Sequence, residues 1–519
     1  MLKYPKFNFV IHKTIFSERE KPIMKKVILL SLISIQFIFA QLTPLKKANF
    51  NKLTSHSELI EFLKEVDLQS ELITTEVLTK SVEGRDIQVV YFSNGKFGAD
   101  KNKLKVLIFA QQHGNEQSGK EGALLLIKEL LKKENRYLFD RIDLALIPQM
   151  NPDGSEKNQR RNGNYVDLNR NHLILTEPET IALHKLFNKY KFEVTMDVHE
   201  YWPYGEEWKK LGYRRNFDVT IGAVTNINVS EKIRDLSYKK YLPFIFNFIS
   251  SYGYSAFHYL PGGPIGIDYI RFSTFDINDG RQSFGIQNTL SFIQEGMNGE
   301  DYSLDRIERR ANSQMIGMLG LLKFCYENQK EIKILIDNER KKLVQNKVSD
   351  KVSIQLEHCS DGNPIEIKLL SYKTNQDTIV LVNDFRGKVR SISDVERPYG
   401  YLIPREIKEL KEWMEKHQLS YYQKPELKSF KIERYFVDSI GTVDFERDTV
   451  INPYLTVEDV TNTIDFEDYY FLPVQQLKNN LIVIALEPKS MIGLVTYKQF
   501  SHLLKEKEYY PILRVVRKK

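Results

Sequence analysis

Three short runs of this sequence carry side chains able to bind a divalent cation or move a proton. His113-Gly-Asn-Glu116 follows directly on the apolar run Leu104 to Ala110. A histidine and a carboxylate three residues apart, in a turn or at a helix start, project to one side and can reach one metal ion. His199 closes a second strand-like run, in Thr195-Met-Asp-Val-His-Glu200. Two strand ends supplying His, Glu and His meet at one sheet edge, and a set of two histidines and one glutamate leaves a zinc position open for water. Glu295 ends a third run, Asn288-Thr-Leu-Ser-Phe-Ile-Gln-Glu-Gly296. A carboxylate closing a buried strand is costly without a partner. Beside a metal it becomes a general base.

Between these runs lie Asn151-Pro-Asp-Gly154, Arg160-Arg-Asn162 and Val166-Asp-Leu-Asn-Arg-Asn171. Asn-Pro-Asp-Gly reads as a turn, since each residue type favours one. Asn169 and Arg170 suit a carboxylate clamp, because a planar guanidinium bonds that group through two nitrogens. Arg160 suits a carbonyl oxygen that gains charge during attack.

These residues need a scaffold that brings strand ends together. Ile87 to Phe92, Leu104 to Ala110, Ile142 to Ile147, Val194 to Val198 and Leu290 to Ile293 read as strands. Glu121 to Leu131 and Glu179 to Tyr190 read as helices. That alternation predicts an α/β fold with a mixed, mostly parallel twisted sheet flanked by helices. Sites in such sheets gather at the carboxyl ends of strands.

The chain has 519 residues, more than one compact core usually holds, so two folded units are expected. We divide it into an N-terminal extension with leader (1–40), a catalytic unit (41–335), a linker (336–350) and a smaller β-rich C-terminal domain (351–519). In that domain Ile354 to Leu356, Ile365 to Leu370, Thr378 to Val382, Ser429 to Asp438 and Leu481 to Ala485 read as strands, and Ile407 to His417 as an amphipathic helix. Hydrophobic residues make up 42% and charged residues 28%, an ordinary globular balance that excludes a polytopic membrane protein and a disordered chain. A net charge of +7 with no dominant basic run gives no case for nucleic acid. The basic tail Arg514 to Lys519 reads as a solvated terminus. Cys325 and Cys359 are either one disulfide or two small apolar residues.

Lys25 and Lys26 precede a 14-residue apolar stretch, Val27 to Ala40. A short basic region, a short apolar run and a small terminal residue describe a cleavable secretory leader. The run is short for a membrane span. Met24 directly precedes the lysines, which suggests that translation begins there rather than at Met1. The expectation is an exported protein, periplasmic or extracellular, with no stable membrane span once the leader is removed.

Taken in order, these motifs resemble the zinc metallocarboxypeptidase family, carboxypeptidase A-like peptidases with secreted bacterial members. Lys80-Ser-Val-Glu-Gly-Arg-Asp-Ile87 is also similar to that family's N-terminal signature. The resemblance covers about residues 48–330. It implies one zinc ion held by His113, Glu116 and His199, Arg160 polarising the scissile carbonyl, and Asn169 with Arg170 on the substrate's terminal carboxylate. Glu295 would take the proton from the water and pass it to the leaving amine. The family's mobile tyrosine lies near a Gly-Gly pair. Here Phe257-His-Tyr-Leu-Pro-Gly-Gly263 offers Tyr259 or His258. Two departures stand out: Asn115 occupies a position where many digestive members carry Arg, and the distance from Gly263 to Glu295 is longer. Pro398 to Pro404 and Leu486 to Ser490 resemble C-terminal segments of large secreted bacterial relatives. The substrate implied is a peptide. The same chemistry on murein peptides of the cell wall is a second reading, and an inactive binding scaffold a third.

Overall fold

The computed structural model describes residues 42–518, apart from 424–426, 428 and 446–447. The leader reading lies outside the described residues. After a single helical turn at Pro44–Lys47, the first long helix, α1 (His56–Asp67), opens on a capping box in which Ser55 and Glu58 satisfy each other's free backbone N–H groups. Then come β1 (Ile73–Lys80), β2 (Asp86–Phe92), β3 (Leu104–Ala110), α2 (Gln117–Leu131), β4 (Ile142–Ile147), α3 (Pro152–Glu156), α4 (Pro178–Tyr190) and β5 (Val194–Tyr201). Four short strands follow before the last long one: β6 (Tyr213–Arg215), β7 (Val219–Ala223), β8 (Ala256–His258) and β9 (Ile270–Arg271), then α5 (Gly280–Gly285) and β10 (Leu290–Met297), with β7 the longest of the intervening set.

Eight of these strands form one sheet in the order β1-β2-β4-β3-β5-β10-β7-β8. Its centre, β4-β3-β5-β10, is parallel, and β1, β2 and β7 add antiparallel pairings. The sheet is mixed and flanked by helices, as expected from the alternation of strand and helix patterns. Every residue of β5 and β10 is buried, polar ones included, and Thr195 Oγ1 donates to Ser291 Oγ at 2.6 Å between the two strands.

The C-terminal region begins after α6 (Ile307–Glu327) and α7 (Gln329–Val344), and α7 runs through much of the segment read as a linker. It contains β11 (Lys351–Cys359), β12 (Ile365–Ser371), β13 (Gln376–Val382), β14 (Phe385–Arg386), β15 (Lys388–Glu396), β16 (Gly400–Pro404), α8 (Lys408–Lys416), β17 (Phe430–Phe445), β18 (Asp448–Asp459), β19 (Tyr469–Pro473), α9 (Asn479–Leu486) and β20 (Leu513–Arg517). Five of them form an antiparallel sheet, β18-β17-β20-β16-β19. Two readings are corrected here. Leu481 to Ala485 lies in a helix, because a fully buried apolar run has the same appearance in either conformation. The basic tail is not a loose terminus: β20 pairs with both β16 and β17, and Arg514 pairs with Glu433 and Glu487. Cys325 and Cys359 are both free thiols, so the disulfide alternative falls away. No helix among the described residues is long and apolar enough to cross a membrane.

The two regions share one buried apolar cluster, which runs from Leu59 in α1 through Trp413 in α8 to Ile512. Trp413 is 1% exposed, and its Nε1 donates to the Leu173 carbonyl at 2.9 Å. Trp413→Ala should therefore destabilise the whole chain by about 3–5 kcal/mol. Denaturant melts followed separately by probes in each region should still give one transition.

Three histidines from distant segments also meet at this junction. His172 Nδ1 lies 3.0 Å from His184 Nε2, and the His417 ring stands edge-on to His184. Burial holds His172 down to about 4 and holds His184 and His417 well below the usual imidazole range. The unfolded chain takes up protons near pH 6.5 that the folded chain refuses. Stability that is full above that pH is thus lost as pH falls toward about 4. Melting temperature should drop across this window, and His184→Gln should flatten the drop. An unchanged slope in the variant would assign the effect elsewhere.

Candidate active site

Strands β3, β5 and β10 run side by side in one direction, with Ala110 opposite Val198 and His199 opposite Glu295. Their carboxyl ends therefore open on one edge of the sheet. His113 and Glu116 lie in the turn that joins β3 to α2. That turn is tight: a Cβ on Gly114 would stand 2.1 Å from the Gly154 carbonyl carbon, so a side chain there would push α3 away.

The three expected ligands converge. His113 Nδ1 lies 2.7 Å from Glu116 Oε1, His199 Nδ1 2.9 Å from Glu116 Oε2, and the two Nδ1 atoms 3.1 Å apart. One donor atom from each residue falls within 4.8 Å of the others. The far nitrogens are anchored by carboxylates: His113 Nε2 is 3.0 Å from Asp167 Oδ1, and His199 Nε2 is 2.8 Å from Asp197 Oδ1. A proton on each Nε2, facing its carboxylate, leaves both Nδ1 lone pairs aimed at the cluster. Two imidazole nitrogens and one carboxylate, each buried and each oriented from behind, fit a zinc ion.

The electrostatics favour a cation there. Burial pushes the Glu116 carboxyl up, but the imidazoles of His113 and His199 more than offset it and hold it well below the usual carboxylate range. Burial likewise disfavours charge on His199, yet Asp197 and Glu116 raise its proton affinity well above normal. A site that draws a proton so strongly draws a metal ion by the same charges.

Glu295 stands across the β5–β10 pairing from His199 and is 6% exposed. Burial, opposed by His199 and reinforced by Glu116 and Asp197, pushes its carboxyl up to about 8, with the Tyr259 hydroxyl pulling the other way. A cavity of about 420 Å³ opens over this group, and His113, Glu116, Arg160, Asn169, Arg170, Tyr259 and Glu295 all line it. Arg160 bonds Asp167 at 3.0 Å and reaches within 3.6 Å of Glu116. The Asn169 amide accepts from Gly280 N–H at 2.8 Å and lies 3.3 Å from His199 Nε2. Arg170 donates to the Asn169 carbonyl at 2.7 Å and keeps an exposed face on the cavity. Of the two candidates beside the Gly-Gly pair, Tyr259 lines the cavity, whereas the His258 ring packs against Phe246, Phe257 and Phe272.

Several motif residues turn out to brace the site. Asn-Pro-Asp-Gly is not a free turn but the start of α3. Asn151 caps that helix by accepting from Gly154 N–H at 2.8 Å, and its Nδ2 donates to the carbonyls of Gln112 and Arg160. One side chain thus ties together the turn of His113 and the loop of Arg160. Asp153 accepts from Ser81 Oγ, Glu83 N–H and Arg85, which explains the run Lys80 to Ile87. Sequence reasoning missed the carboxylates behind the histidines. Asp197 was legible, because residues two apart in a strand share a face. Asp167 sits inside a motif whose Asn and Arg drew the attention. Arg215, Arg271 and Arg281, which also line the cavity, belong to no motif the sequence offered.

A buried cluster of two histidines and a glutamate at the carboxyl edge of a mixed α/β sheet, with a further carboxylate opposite, defines a metallohydrolase site. The family model described as zinc carboxypeptidase matches residues 59–208, the stretch that carries His113, Glu116 and His199. Carboxypeptidase 2 of Trichophyton tonsurans is 23% identical over 453 residues, 84% of this chain and 81% of that protein. Human (Homo sapiens) carboxypeptidase D is 34% identical over 143 residues, 24% of this chain and 10% of that one. A metallo-carboxypeptidase structure from Pseudomonas aeruginosa overlaps with a TM-score of 0.42 at 21% identity, covering 55% of this chain and 71% of that one.

Purified protein should carry one zinc ion per chain by elemental analysis. His199→Ala should lose it while keeping the wild-type circular dichroism spectrum. Full zinc retention by this variant would exclude His199 as a ligand.

Proposed function

We propose that this chain removes single residues from the C-terminus of peptides, with His113, Glu116 and His199 as metal ligands and Glu295 as general base. The observation that carries this reading is the pairing of Glu295 with His199 across β5 and β10, next to the three-ligand cluster. Bound at the cluster, zinc supplies Lewis acidity. The rest falls to this chain's own side chains. Glu295 accepts a proton from the attacking water and returns it to the leaving amine. Arg160, already close to Glu116, faces the carbonyl oxygen as it gains charge. Arg170, with Asn169 beneath it, takes the free terminal carboxylate, which fixes cleavage to the last peptide bond. Tyr259 shields Glu295 from bulk water. The leader-like run after Lys26 supports action outside the cytoplasm, in the periplasm or beyond.

The test is a pair of peptides that differ only in a free or an amidated C-terminus. The free form should lose its last residue, chelation should stop this, and zinc should restore it. The amidated form should remain intact. Glu295→Gln should keep its zinc and lose about 10²–10⁴-fold in kcat. Internal cleavage of both peptides would overturn the exopeptidase reading. Release from purified murein peptides, but not from ordinary ones, would move the substrate to the cell wall.

A further inference from the structure

Behind the metal cluster a line of polar contacts runs inward to the junction with the C-terminal region. His199 Nε2 lies 2.8 Å from Asp197 Oδ1. The other oxygen of Asp197 accepts from Gln112 Nε2 at 2.8 Å. Gln112 Oε1 lies 2.8 Å from His172 Nε2, and His172 Nδ1 lies 3.0 Å from His184 Nε2. Gln112, His172 and His184 are fully buried. A Cβ on Gly280 would stand 2.6 Å from Asp197 Oδ2 and 2.9 Å from Gln112 Nε2, so only a glycine lets α5 close over that bond.

The charged member of this line dictates the direction of the rest. A carboxylate only accepts, so the Gln112 amide turns its nitrogen to Asp197 and its oxygen to His172. An amide oxygen only accepts as well, so the proton of His172 sits on Nε2. Burial holds the His172 imidazole down at about 4, which leaves it neutral and its Nδ1 bare. That nitrogen therefore accepts, and His184 Nε2–H donates. Burial, then His172, Lys478 and His417, hold His184 well below the usual imidazole range, so its Nδ1 is bare in turn. This atom is buried and has no hydrogen-bond partner among the described residues, and there the line stops. From His184 to Asp197 every N–H points toward Asp197.

The competing arrangement lies close at hand. Asn169 Oδ1 is taken by Gly280 N–H, so its Nδ2 faces His199 Nε2, 3.3 Å away. Once Asp197 lets go, Asn169 would donate to that nitrogen, and the imidazole proton would move to Nδ1. Nδ1 is the atom that faces His113 and Glu116, and a metal ion needs its lone pair. We propose that His172 is a positioning residue for the metal cluster: by fixing the Gln112 amide it holds Asp197 to His199 Nε2 and keeps His199 Nδ1 open. The proposal rests on the reading of His199 as a metal ligand. It also gives the C-terminal region a part in the site. The His417 ring stands edge-on to His184, and its Nε2 donates at 2.7 Å to the carbonyl of Leu173, the residue next to His172.

The experiment uses full-length protein with 15N-labelled histidine. In the zinc-loaded wild type at neutral pH, His172 and His184 should both show the ring nitrogen shifts of a neutral Nε2–H imidazole. Either ring charged, or protonated on Nδ1, overturns the proposal, and this readout depends on no variant. Zinc affinity, measured by competition with a chelator, should fall about 10–100-fold in His172→Leu. His172→Gln keeps an N–H donor for the Gln112 oxygen and should recover most of that loss. A folded His172→Leu variant that binds zinc as tightly as wild type overturns the proposal, as does a Gln variant no better than the Leu variant. Wild-type protein that binds no zinc overturns the ligand reading itself, and the proposal with it.

Discussion

Everything at this site depends on three parallel strands that end at the same level. β3, β5 and β10 are hydrogen-bonded neighbours, so their carboxyl ends cannot drift apart without breaking the centre of the sheet. Both faces of these strands are covered, and every residue of β5 and β10 is buried. Polar side chains are tolerated only where the strands run out or where a partner waits. His199 and Glu295 occupy such positions directly across from one another, and the turn after β3 brings His113 and Glu116 to the same edge.

Concentrating buried titratable groups in this way is expensive unless each has a partner. Here the partners form a second tier. Asp167 and Asp197 stand behind the two histidines, and Asn151 joins the loops that carry His113 and Arg160. Asp153 anchors the loop of Glu83 and Arg85 to the start of α3. Most motif residues that never face the cavity are accounted for by this bracing. A side chain that orients a ligand is held to its spacing as strictly as the ligand itself.

The C-terminal region is not an appended module. It shares a continuous apolar cluster with the catalytic sheet, donates Trp413 and His417 to the Leu173 carbonyl, and supplies the strands that hold β6 and β9. Two walls of the cavity thus depend on residues more than 90 positions away in sequence, as between Arg271 and Arg386. A fold that merely needed a second domain for stability would not require pairing at those two particular strands.

The sequence alone was enough to read the central strands β2, β3, β4, β5 and β10, the order of the motifs, and His113, Glu116, His199 and Glu295 as candidates for one site. Periodicity reports burial, and burial is what strands β3, β4, β5 and β10 share. Leu481 to Ala485 escaped this logic, because a segment buried on all sides has no period to read. The basic tail escaped it too, since charge on Arg514 and Arg517 concealed a strand whose Leu513 and Val515 are buried. Only the tertiary structure decided which carboxylates back the histidines and which of Tyr259 and His258 faces the cavity. Those relations join segments with no shared spacing, and a contact made by folding leaves no trace in the local pattern of the chain.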